Sequence, residues 1–301
     1  EGENSPLEFD KIFGTDGAYS VVRQSLMKSD RFNFTQKYLS HGYKELTIPA
    51  KNGEFALACN GLHIWPRGAF MLIALPNLDK SFTCTLFLPF KGKDSFENLK
   101  NPERVRAFFD HVFPEASNLM PHLEEEYFRN PMSNLVMIQC KPWGNENTLL
   151  LGDAAHAIVP FYGQGMNCGF EDCNLFDDLL AERNDDWTNM FSDFSVRRKV
   201  DTDAILQLSL DNYLEMRDST ANPQFLLRKK IERKISEKHP KVWKTLYSMV
   251  TFSSIPYSKV IKQGRFQADI MNKIMLKPNI EQVWDSEEIE NEILEHLSMN
   301  V

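Results

Sequence analysis

The chain has 301 residues, 42% of them hydrophobic and 25% charged, enough apolar material to bury a core in one or two domains. Its net charge of −8 argues against a general nucleic-acid binder. The longest apolar stretch, Ala69 to Pro76, is far too short for a membrane span, and five scattered cysteines without a C-x-x-C pair favour a reducing compartment. We therefore expect a soluble, cytoplasmic protein without a transmembrane anchor in this chain.

The first structured segment is predicted at Phe9–Arg23, where a short strand, the turn Gly14-Thr15-Asp16-Gly17 and a helix follow one another. Taken alone, Asp16 could simply belong to an Asp-Gly turn, and Arg23 could make an ordinary surface ion pair.

An antiparallel sheet is predicted from Tyr38 to Pro89, because short apolar runs alternate there with turn residues. The predicted strands are Glu45–Ile48, Phe55–Ala58, Leu62–Trp65, Phe70–Leu75 and Thr83–Leu88. A further strand is expected at Met132–Cys140, after mixed helix and loop at 102–126. Alternation places Met71, Ile73 and Leu75 on one face, but both faces are apolar, as in an ordinary core.

The run Leu149–Gly169, LLLGDAAHAIVPFYGQGMNCG, predicts the end of a buried strand, an acidic turn and a glycine-rich helix start. Such a helix start offers unpaired N–H groups to an anion, and an aspartate at the end of a strand can accept hydrogen bonds from ribose hydroxyls. Alternatively, Asp153 only caps a helix and the glycines only turn the chain. His156, one turn beyond Asp153, is expected to be structural.

The rest of the chain is predicted to be helical, with long helices at about 188–219, 223–251 and 257–275. Met166, Phe170 and Cys173 have helical spacing and predict the face that packs on the sheet. Asn212, Glu215 and Met216 share one helix face; the alternative is a boundary face with a solvated Glu215. The basic stretch 228–244 favours a solvated face over a membrane-surface helix, and the acidic tail after Pro278 favours a frayed helix or disorder.

The two motifs together, Phe9–Arg23 and Gly152–Asn167, resemble the DG and GD motifs of the aromatic-hydroxylating flavoprotein monooxygenases. Four further stretches resemble the kynurenine-hydroxylating members of that family: Leu62–Arg67, Phe70–Asn77, Ser81–Pro89 and Asn212–Arg217. The similarity runs from about Phe9 to about Lys273.

The family's G-x-G-x-x-G segment, which seats the FAD pyrophosphate, is not found in the chain. Since the chain starts at Glu1 without an initiator Met, we expect the C-terminal portion of a longer enzyme, lacking on the order of 100–200 residues. By itself, this portion is expected to bind FAD weakly or not at all.

The resemblance implies an α/β (α+β) fold in three parts. Residues 1–28 and 147–186 would be the remainder of a partial FAD-binding, Rossmann-like domain. Residues 29–146 would form an antiparallel-sheet substrate domain, and residues 187–301 a C-terminal helical region.

The resemblance also implies roles for individual residues. FAD would be held by Asp16, Arg23, Asp153, Pro160, Gly165, Met166 and Asn167. The wall of the substrate pocket would include Leu62, Met71, Ile73, Leu75, Phe87 and Phe161. The helical part would contribute Glu215 and Met216, while Asn212 and Tyr247 would hydrogen-bond the amino-acid end of the substrate.

The reaction implied by the resemblance is hydroxylation of L-kynurenine to 3-hydroxykynurenine with FAD, NADPH and O2, through a flavin C(4a)-hydroperoxide. The cofactor performs the difficult step, so no protein acid or base and no metal is predicted. Two alternatives stay open: a hydroxylase of another aromatic acid, and a non-catalytic fragment that cannot hold FAD.

Overall fold

The structure is a computed structural model, and it describes residues 7–218 and 222–298. The chain start at Glu1–Asn4, on which the expectation of a partial chain depends, lies outside these residues. The strands are β1 Ile12–Gly14, β2 Asn33–Ile48, β3 His63–Pro66, β4 Met71–Pro76, β5 Phe82–Pro89, β6 Ser133–Lys141 and β7 Thr148–Leu150.

Among the described residues, α1 follows β1, three helices lie between β5 and β6, and the remaining helices follow β7. They are α1 Val21–Leu26, α2 Pro102–Val112, α3 Pro114–Ser117, α4 Leu123–Arg129, α5 Asp153–His156, α6 Gly165–Glu182, α7 Met190–Asp218, α8 Pro223–Lys238, α9 Leu246–Thr251, α10 Tyr257–Met275, α11 Ile280–Val283 and α12 Glu287–Ser298. The expected mixed α/β class, with an antiparallel sheet and a helical C-terminal region, is confirmed. No helix among the described residues combines the length and apolar character needed to cross a bilayer.

The chain divides into two compact units. Unit 1 comprises the described parts of Glu1–Lys37, Val136–Asn212 and Leu227–Val301. Unit 2 comprises the described parts of Tyr38–Leu135 and Tyr213–Leu226. The three domain ranges expected from the sequence stay a prediction.

The larger sheet has the strand order β3-β4-β5-β2-β6, and unit 2 is built around its strands β3, β4, β5 and most of β2. The pairs β3–β4, β4–β5 and β5–β2 are antiparallel. Turn residues connect the first two pairs, as the sequence predicts. One face of the sheet buries Leu72, Ala74 and Leu86 against α2, which contributes Val105 and Phe109 to the same core. The helix α2 starts cleanly because Asn101 accepts a hydrogen bond from the Arg104 N–H and Pro102 fixes the first turn.

Unit 1 contains a two-stranded parallel sheet, β1 with β7, and most of the helices. Its cores include Leu149, Leu150 and Phe194 near the sheet and Ile205, Met249 and Val260 among the helices.

Two sequence expectations about single elements were wrong. Phe55–Ala58 is not a strand, because the chain turns tightly at Lys51–Glu54 and Phe55 packs its ring on Phe82 from a bend. The helix expected at 223–251 is two helices, since α8 ends before Pro240 and α9 starts at a new cap, Thr245.

The prediction of which face of α6 packs on the sheet was also wrong. Met166 and Phe170 of α6 are 71% and 61% exposed, and Cys173 is exposed as well. The buried residues of α6 are instead Cys168, Asp172 and Leu179. The packed face of α6 thus contains the buried carboxylate of Asp172. The spacing of hydrophobic residues could not predict this face, because one of its residues is charged.

The described part of the acidic tail is ordered, which corrects the expectation of fraying or disorder. Ile289 and Ile293 of α12 are 1% and 0% exposed and join a core with Trp243 and Ile270. Glu290 meanwhile accepts hydrogen bonds from Lys238 Nζ at 2.6 Å and His239 Nε2 at 2.8 Å. The tail therefore covers part of the basic stretch with opposite charge.

Candidate functional site

The two glycine-containing motifs meet in unit 1 through the parallel pairing of β1 with β7. The register pairs Gly14 with Leu150, so both motifs leave the sheet at the same edge. A Cβ at Gly14 would lie 2.8 Å from side-chain atoms of Leu150 and Val22, so only glycine fits there.

Asp16 bonds to the first turn of α1, whose N-cap residue is Ser20. Its carboxylate accepts hydrogen bonds from the N–H groups of Val21 at 2.7 Å and Val22 at 3.2 Å. Desolvation opposes ionisation, but the hydrogen bonds from Ser20 and these N–H groups outweigh it and lower the pKa of Asp16. The carboxylate thereby stabilises the start of α1.

Arg23 joins the two motifs. It is 3% exposed, and its guanidinium donates to the carbonyls of Ala154 at 2.7 Å and Ala18 at 2.6 Å. The guanidinium also lies 4.7 Å from the centre of the Phe34 ring. Desolvation lowers its pKa, and its Nε has no hydrogen-bond partner within the described residues. Arg23 therefore fixes α1 against α5.

An open cavity of about 510 Å³ lies beside the second motif. Gly152, Gly163, Gly165 and Gly169 line it, together with Asp153, Ile158, Pro160 and Met166. Four residues that the resemblance assigned to FAD thus share one cavity: Asp153, Pro160, Gly165 and Met166. In the described part of the chain, Asp16, Arg23 and Asn167 are not among the lining residues.

The cavity combines a hydrogen-bond acceptor with hydrogen-bond donors. Asp153 is exposed, and no described residue donates to its carboxylate, but the surrounding protein desolvates it and raises its pKa, against a smaller opposite effect of His156. The first-turn N–H groups of α6, at Gly165 and Met166, have no helical acceptor, and the helix dipole adds positive charge there.

The cavity fits a flat ring with a hydroxylated chain. Gly163 has φ +66°, which ends the turn Pro160–Tyr162 and leads into α6. A Cβ built at Gly165 meets no atom within 4 Å, so glycine leaves open space beside the helix start. Apolar walls from Ile158, Pro160 and Met166 suit a ring face, and Asp153 suits hydroxyl groups. These residues fit a flavin.

Two helices hold the loop that carries these residues. Gln164 is 5% exposed, and its Oε1 accepts hydrogen bonds from Tyr257 of α10 at 3.0 Å and from Asn167 at 3.1 Å. Asn212 of α7 donates to the carbonyl of Phe161 at 2.7 Å. Sequence reasoning missed Gln164 and Tyr257, because nothing in their neighbourhood distinguishes them from other polar residues.

Three residues predicted to bind substrate lie together in unit 1. Phe161 is 7% exposed and is bonded to the half-buried Asn212. Tyr247 of α9 is 42% exposed, and its ring lies 5.7 Å from that of Tyr162, the neighbour of Phe161.

The other five residues of the predicted apolar wall lie in unit 2, on the sheet face away from the Leu72 core. Met71 and Phe87 are paired across β4 and β5 and are 1% and 3% exposed. Ile73 is half-buried, while Leu75 and Leu62, just before β3, are 47% and 36% exposed. Sequence reasoning missed Ile64, which pairs with Ile73, although the alternation from Leu62 would have included it.

Glu215 and Met216 also belong to unit 2. Glu215 is half-buried and Met216 is 9% exposed, which agrees with neither a fully solvated nor a fully buried helix face. Within the same unit, the buried His41 receives contacts that the sequence did not suggest, at 2.8 Å from the hydroxyl of Tyr213 and 2.7 Å from the carbonyl of Ala69.

A second cavity of about 460 Å³ lies elsewhere in unit 1, between the turn at Lys141–Asn145 and α7. Trp143, Val196 and Val200 give it an apolar lining, and Lys199 and Asp203 form an ion pair at its edge. None of the residues predicted from the sequence lines it. The glycine-lined cavity is therefore the better candidate site.

The chain matches a known protein family and several known proteins. The FAD binding domain family matches residues 1–187. The chain is 49% identical to kynurenine 3-monooxygenase of Flavobacterium psychrophilum over 299 residues, 99% of this chain and 67% of that protein. It is 44% identical over 289 residues to kynurenine 3-monooxygenase of Dictyostelium discoideum, covering 91% of this chain and 63% of that protein. The chain thus spans about two thirds of the length of these relatives.

Solved structures show the same fold at low sequence identity. A tetrameric 2-methyl-3-hydroxypyridine-5-carboxylic acid oxygenase matches with a TM-score of 0.57 and 20% identity, covering 72% of this chain and 58% of that one. PqsL of P. aeruginosa in complex with 2-aminobenzoylacetate matches with a TM-score of 0.55 and 19% identity, over 69% of this chain and 56% of that one.

Proposed function

The chain belongs to the kynurenine 3-monooxygenase family of flavin-dependent monooxygenases, and we propose that it acts in the hydroxylation of L-kynurenine to 3-hydroxykynurenine. FAD would be the bound cofactor, and NADPH and O2 the co-substrates. The observation that carries the proposal is the glycine-lined cavity, which presents one unpaired carboxylate and one helix start in a chain with this family membership.

Within the proposed site, Asp153 would accept hydrogen bonds from ribityl or ribose hydroxyls. The first-turn N–H groups and the dipole of α6 would stabilise negative charge at the pyrimidine edge of a reduced ring. Pro160 would form a rigid wall, because its φ is fixed and it has no N–H to solvate. Asp16 would act by stabilising the start of α1, and Arg23 by holding the two motifs together through the Ala154 carbonyl.

FAD, when bound, would supply the redox chemistry of the reaction with NADPH and O2. The protein has to place the reacting ring carbon and keep water away. Met71, Ile73 and Phe87 of unit 2 would suit that second task, because such side chains exclude water without offering it hydrogen bonds. Asn212 and Tyr247 would provide polar contacts for the amino-acid end of kynurenine.

The proposal is tested by substrate-stimulated NADPH oxidation in the full-length protein. L-kynurenine should accelerate the oxidation and yield 3-hydroxykynurenine, whereas salicylate should do neither. Stimulation by salicylate with no response to kynurenine would show a hydroxylase of another aromatic acid and would refute the proposed substrate.

A further inference from the structure

A buried polar cluster lies next to the Gly152–Asp153 turn, and the proposed chemistry uses none of its members. The cluster consists of His156 of α5, Cys168 and Asp172 of α6, and Arg198 of α7. Their exposed fractions are 4%, 1%, 0% and 5%. Buried polar groups cost free energy unless they are hydrogen-bonded. The hydrogen bonds of this cluster therefore show which segments of the chain it connects.

Asp172 is the centre of the cluster. Its Oδ2 accepts hydrogen bonds from the Gly152 N–H at 2.8 Å and from His156 Nε2 at 2.6 Å. Its Oδ1 accepts a hydrogen bond from Arg198 Nε at 2.8 Å. Arg198 Nη2 further donates to the Cys168 carbonyl at 3.0 Å and to Glu171 at 2.8 Å. One carboxylate thus connects the turn, α5 and α7 to α6.

The cluster contains opposite charges in direct contact, Asp172 between His156 and Arg198. Burial disfavours a charged His156, but the hydrogen bond to Asp172 and the nearby Cys168 raise its pKa to about 9. Cys168 Sγ is 3.8 Å from His156 Nδ1, and the Trp143 ring is 5.0 Å from the imidazole. Ligand atoms of His156, Cys168 and Asp172 lie within 4.8 Å of one another, but the Arg198 guanidinium already bonds to Asp172 and would repel a cation.

The bond from Gly152 to Asp172 fixes the turn that carries Asp153. Gly152 has φ +58°, a conformation that side-chain-bearing residues rarely adopt, and both Gly152 and Asp153 line the cavity. The direction of the Asp153 side chain depends on this peptide, because the two residues are adjacent.

The same helix sets the other wall of the cavity. Asp172 lies seven residues after Gly165, about two helical turns away, so α6 joins its own start rigidly to the Gly152 turn. A Cβ at Gly169 would lie 3.8 Å from the Gly152 Cα, which shows how closely helix and turn approach.

We propose that Asp172 is a positioning residue: it holds the Gly152 N–H so that the Asp153 carboxylate and the start of α6 keep one fixed arrangement, and Arg198 secures Asp172 from α7. This inference rests on the proposed function, because the role of Asp153 in binding the cofactor is part of that proposal.

The test replaces Asp172 in the full-length protein by Asn, which leaves one carbonyl oxygen for three donors. Asp178→Asn, at an exposed position of the same helix, is the matched control. We expect Asp172→Asn to raise the Kd for FAD at least roughly tenfold, the size of effect typical of hydrogen bonds to charged groups, and the control to leave it unchanged. Hydrogen exchange of the Gly152 amide, measured without FAD, should become faster in Asp172→Asn alone.

A milder pair covers the case in which Asp172→Asn does not fold. Arg198→Lys keeps the positive charge, but one ammonium group cannot replace both Nε and Nη2 of the guanidinium. The control is Arg197→Lys, which changes an exposed neighbour that forms an ion pair with Glu182. We expect faster Gly152 exchange and at least about threefold weaker FAD binding in Arg198→Lys only.

Folded Asp172→Asn or Arg198→Lys proteins with unchanged Gly152 exchange would overturn the inference. Lower stability together with unchanged FAD affinity would overturn it as well, because a purely structural role predicts that result. If the unsubstituted protein binds no FAD, the proposed function fails, and Gly152 exchange alone then decides whether Asp172 positions the turn.

Discussion

At the residue scale, the acidic side chains of the two motifs have different tasks. The carboxylate of Asp16 is already used, because it accepts two backbone N–H groups of α1. The carboxylate of Asp153 receives no hydrogen bond from the described residues and opens on the cavity. Since the pKa of Asp16 is lowered and that of Asp153 is raised, the two environments also differ electrostatically. Asp153 is therefore the residue to test for cofactor binding.

Asp153→Asn should weaken FAD binding, because a neutral amide accepts hydrogen bonds from hydroxyls less strongly than a carboxylate. The loss of a charge-assisted bond is worth about 1.5–3 kcal/mol, so the Kd should rise about ten- to a hundredfold. Fluorescence titration with FAD measures it. Asp178→Asn is again the control, and equal affinity of the two variants would remove Asp153 from the site.

Asn212→Ala should weaken the binding of L-kynurenine with little change in flavin content. The expected cost is about 1–2 kcal/mol for one hydrogen bond, a roughly five- to thirtyfold higher Kd. Because Asn212 also donates to the Phe161 carbonyl, flavin content has to be measured beside substrate affinity. Asn174→Ala, exposed on α6, is the control. Unchanged kynurenine affinity would contradict a substrate contact.

At the element scale, α6 and α12 show why hydrophobic spacing was insufficient. The spacing of Met166, Phe170 and Cys173 is regular, but α6 buries a charged residue, Asp172. Its burial is possible because three N–H donors bond to the carboxylate. Conversely, the acidic composition of α12 suggested disorder, yet two isoleucines one turn apart anchor it. Lys230 lies 4.0 Å from the centre of the Trp284 ring and adds a second contact to this C-terminal segment.

Ile293→Ala should destabilise the protein, because this fully buried side chain joins α12 to the core around Trp243. Removing a buried isoleucine to its Cβ typically costs about 2–5 kcal/mol. Urea unfolding followed by circular dichroism measures the change. Leu276→Ala, at a position 85% exposed, should stay within about 0.5 kcal/mol of the unsubstituted protein. Equal stability of the two variants would mean that α12 does not pack as described.

At the scale of the whole molecule, buried charge makes stability depend on pH. Burial opposes a charged His156, but its contacts with Asp172 and Cys168 raise its pKa from 6.5 to about 9 in the folded state. The stability that these contacts add is complete below pH 6.5 and is lost as pH rises through 9, since the unfolded histidine is neutral there.

The free energy of unfolding should therefore fall by up to about 3 kcal/mol between pH 6.5 and pH 9. Urea unfolding across this range measures it, and His156→Gln, which can still donate to Asp172 but cannot titrate, should flatten the profile. A His156→Gln profile as steep as the original would assign the fall to other groups.

The sequence by itself determined the local elements and the family. The strand–turn–helix at Phe9–Arg23, the antiparallel sheet and the glycine-rich motif at Gly152–Asn167 follow from short-range rules of turns, alternation and caps, so their type and approximate position could be predicted. The exact strands could not, since Phe55–Ala58 is not a strand and β2 already begins at Asn33. Four of the expected cofactor residues, Asp153, Pro160, Gly165 and Met166, indeed line one cavity.

Only the tertiary structure decided which polar side chains form hydrogen bonds within the protein and which are available to a ligand. Arg23 reaches the Ala154 carbonyl 131 positions away, and Asp172 receives donors from three separate segments. Such partners are distant along the chain, and the free energy of burying a charged group depends on them. No local pattern can therefore distinguish a buried, paired carboxylate such as Asp172 from an exposed one such as Asp178.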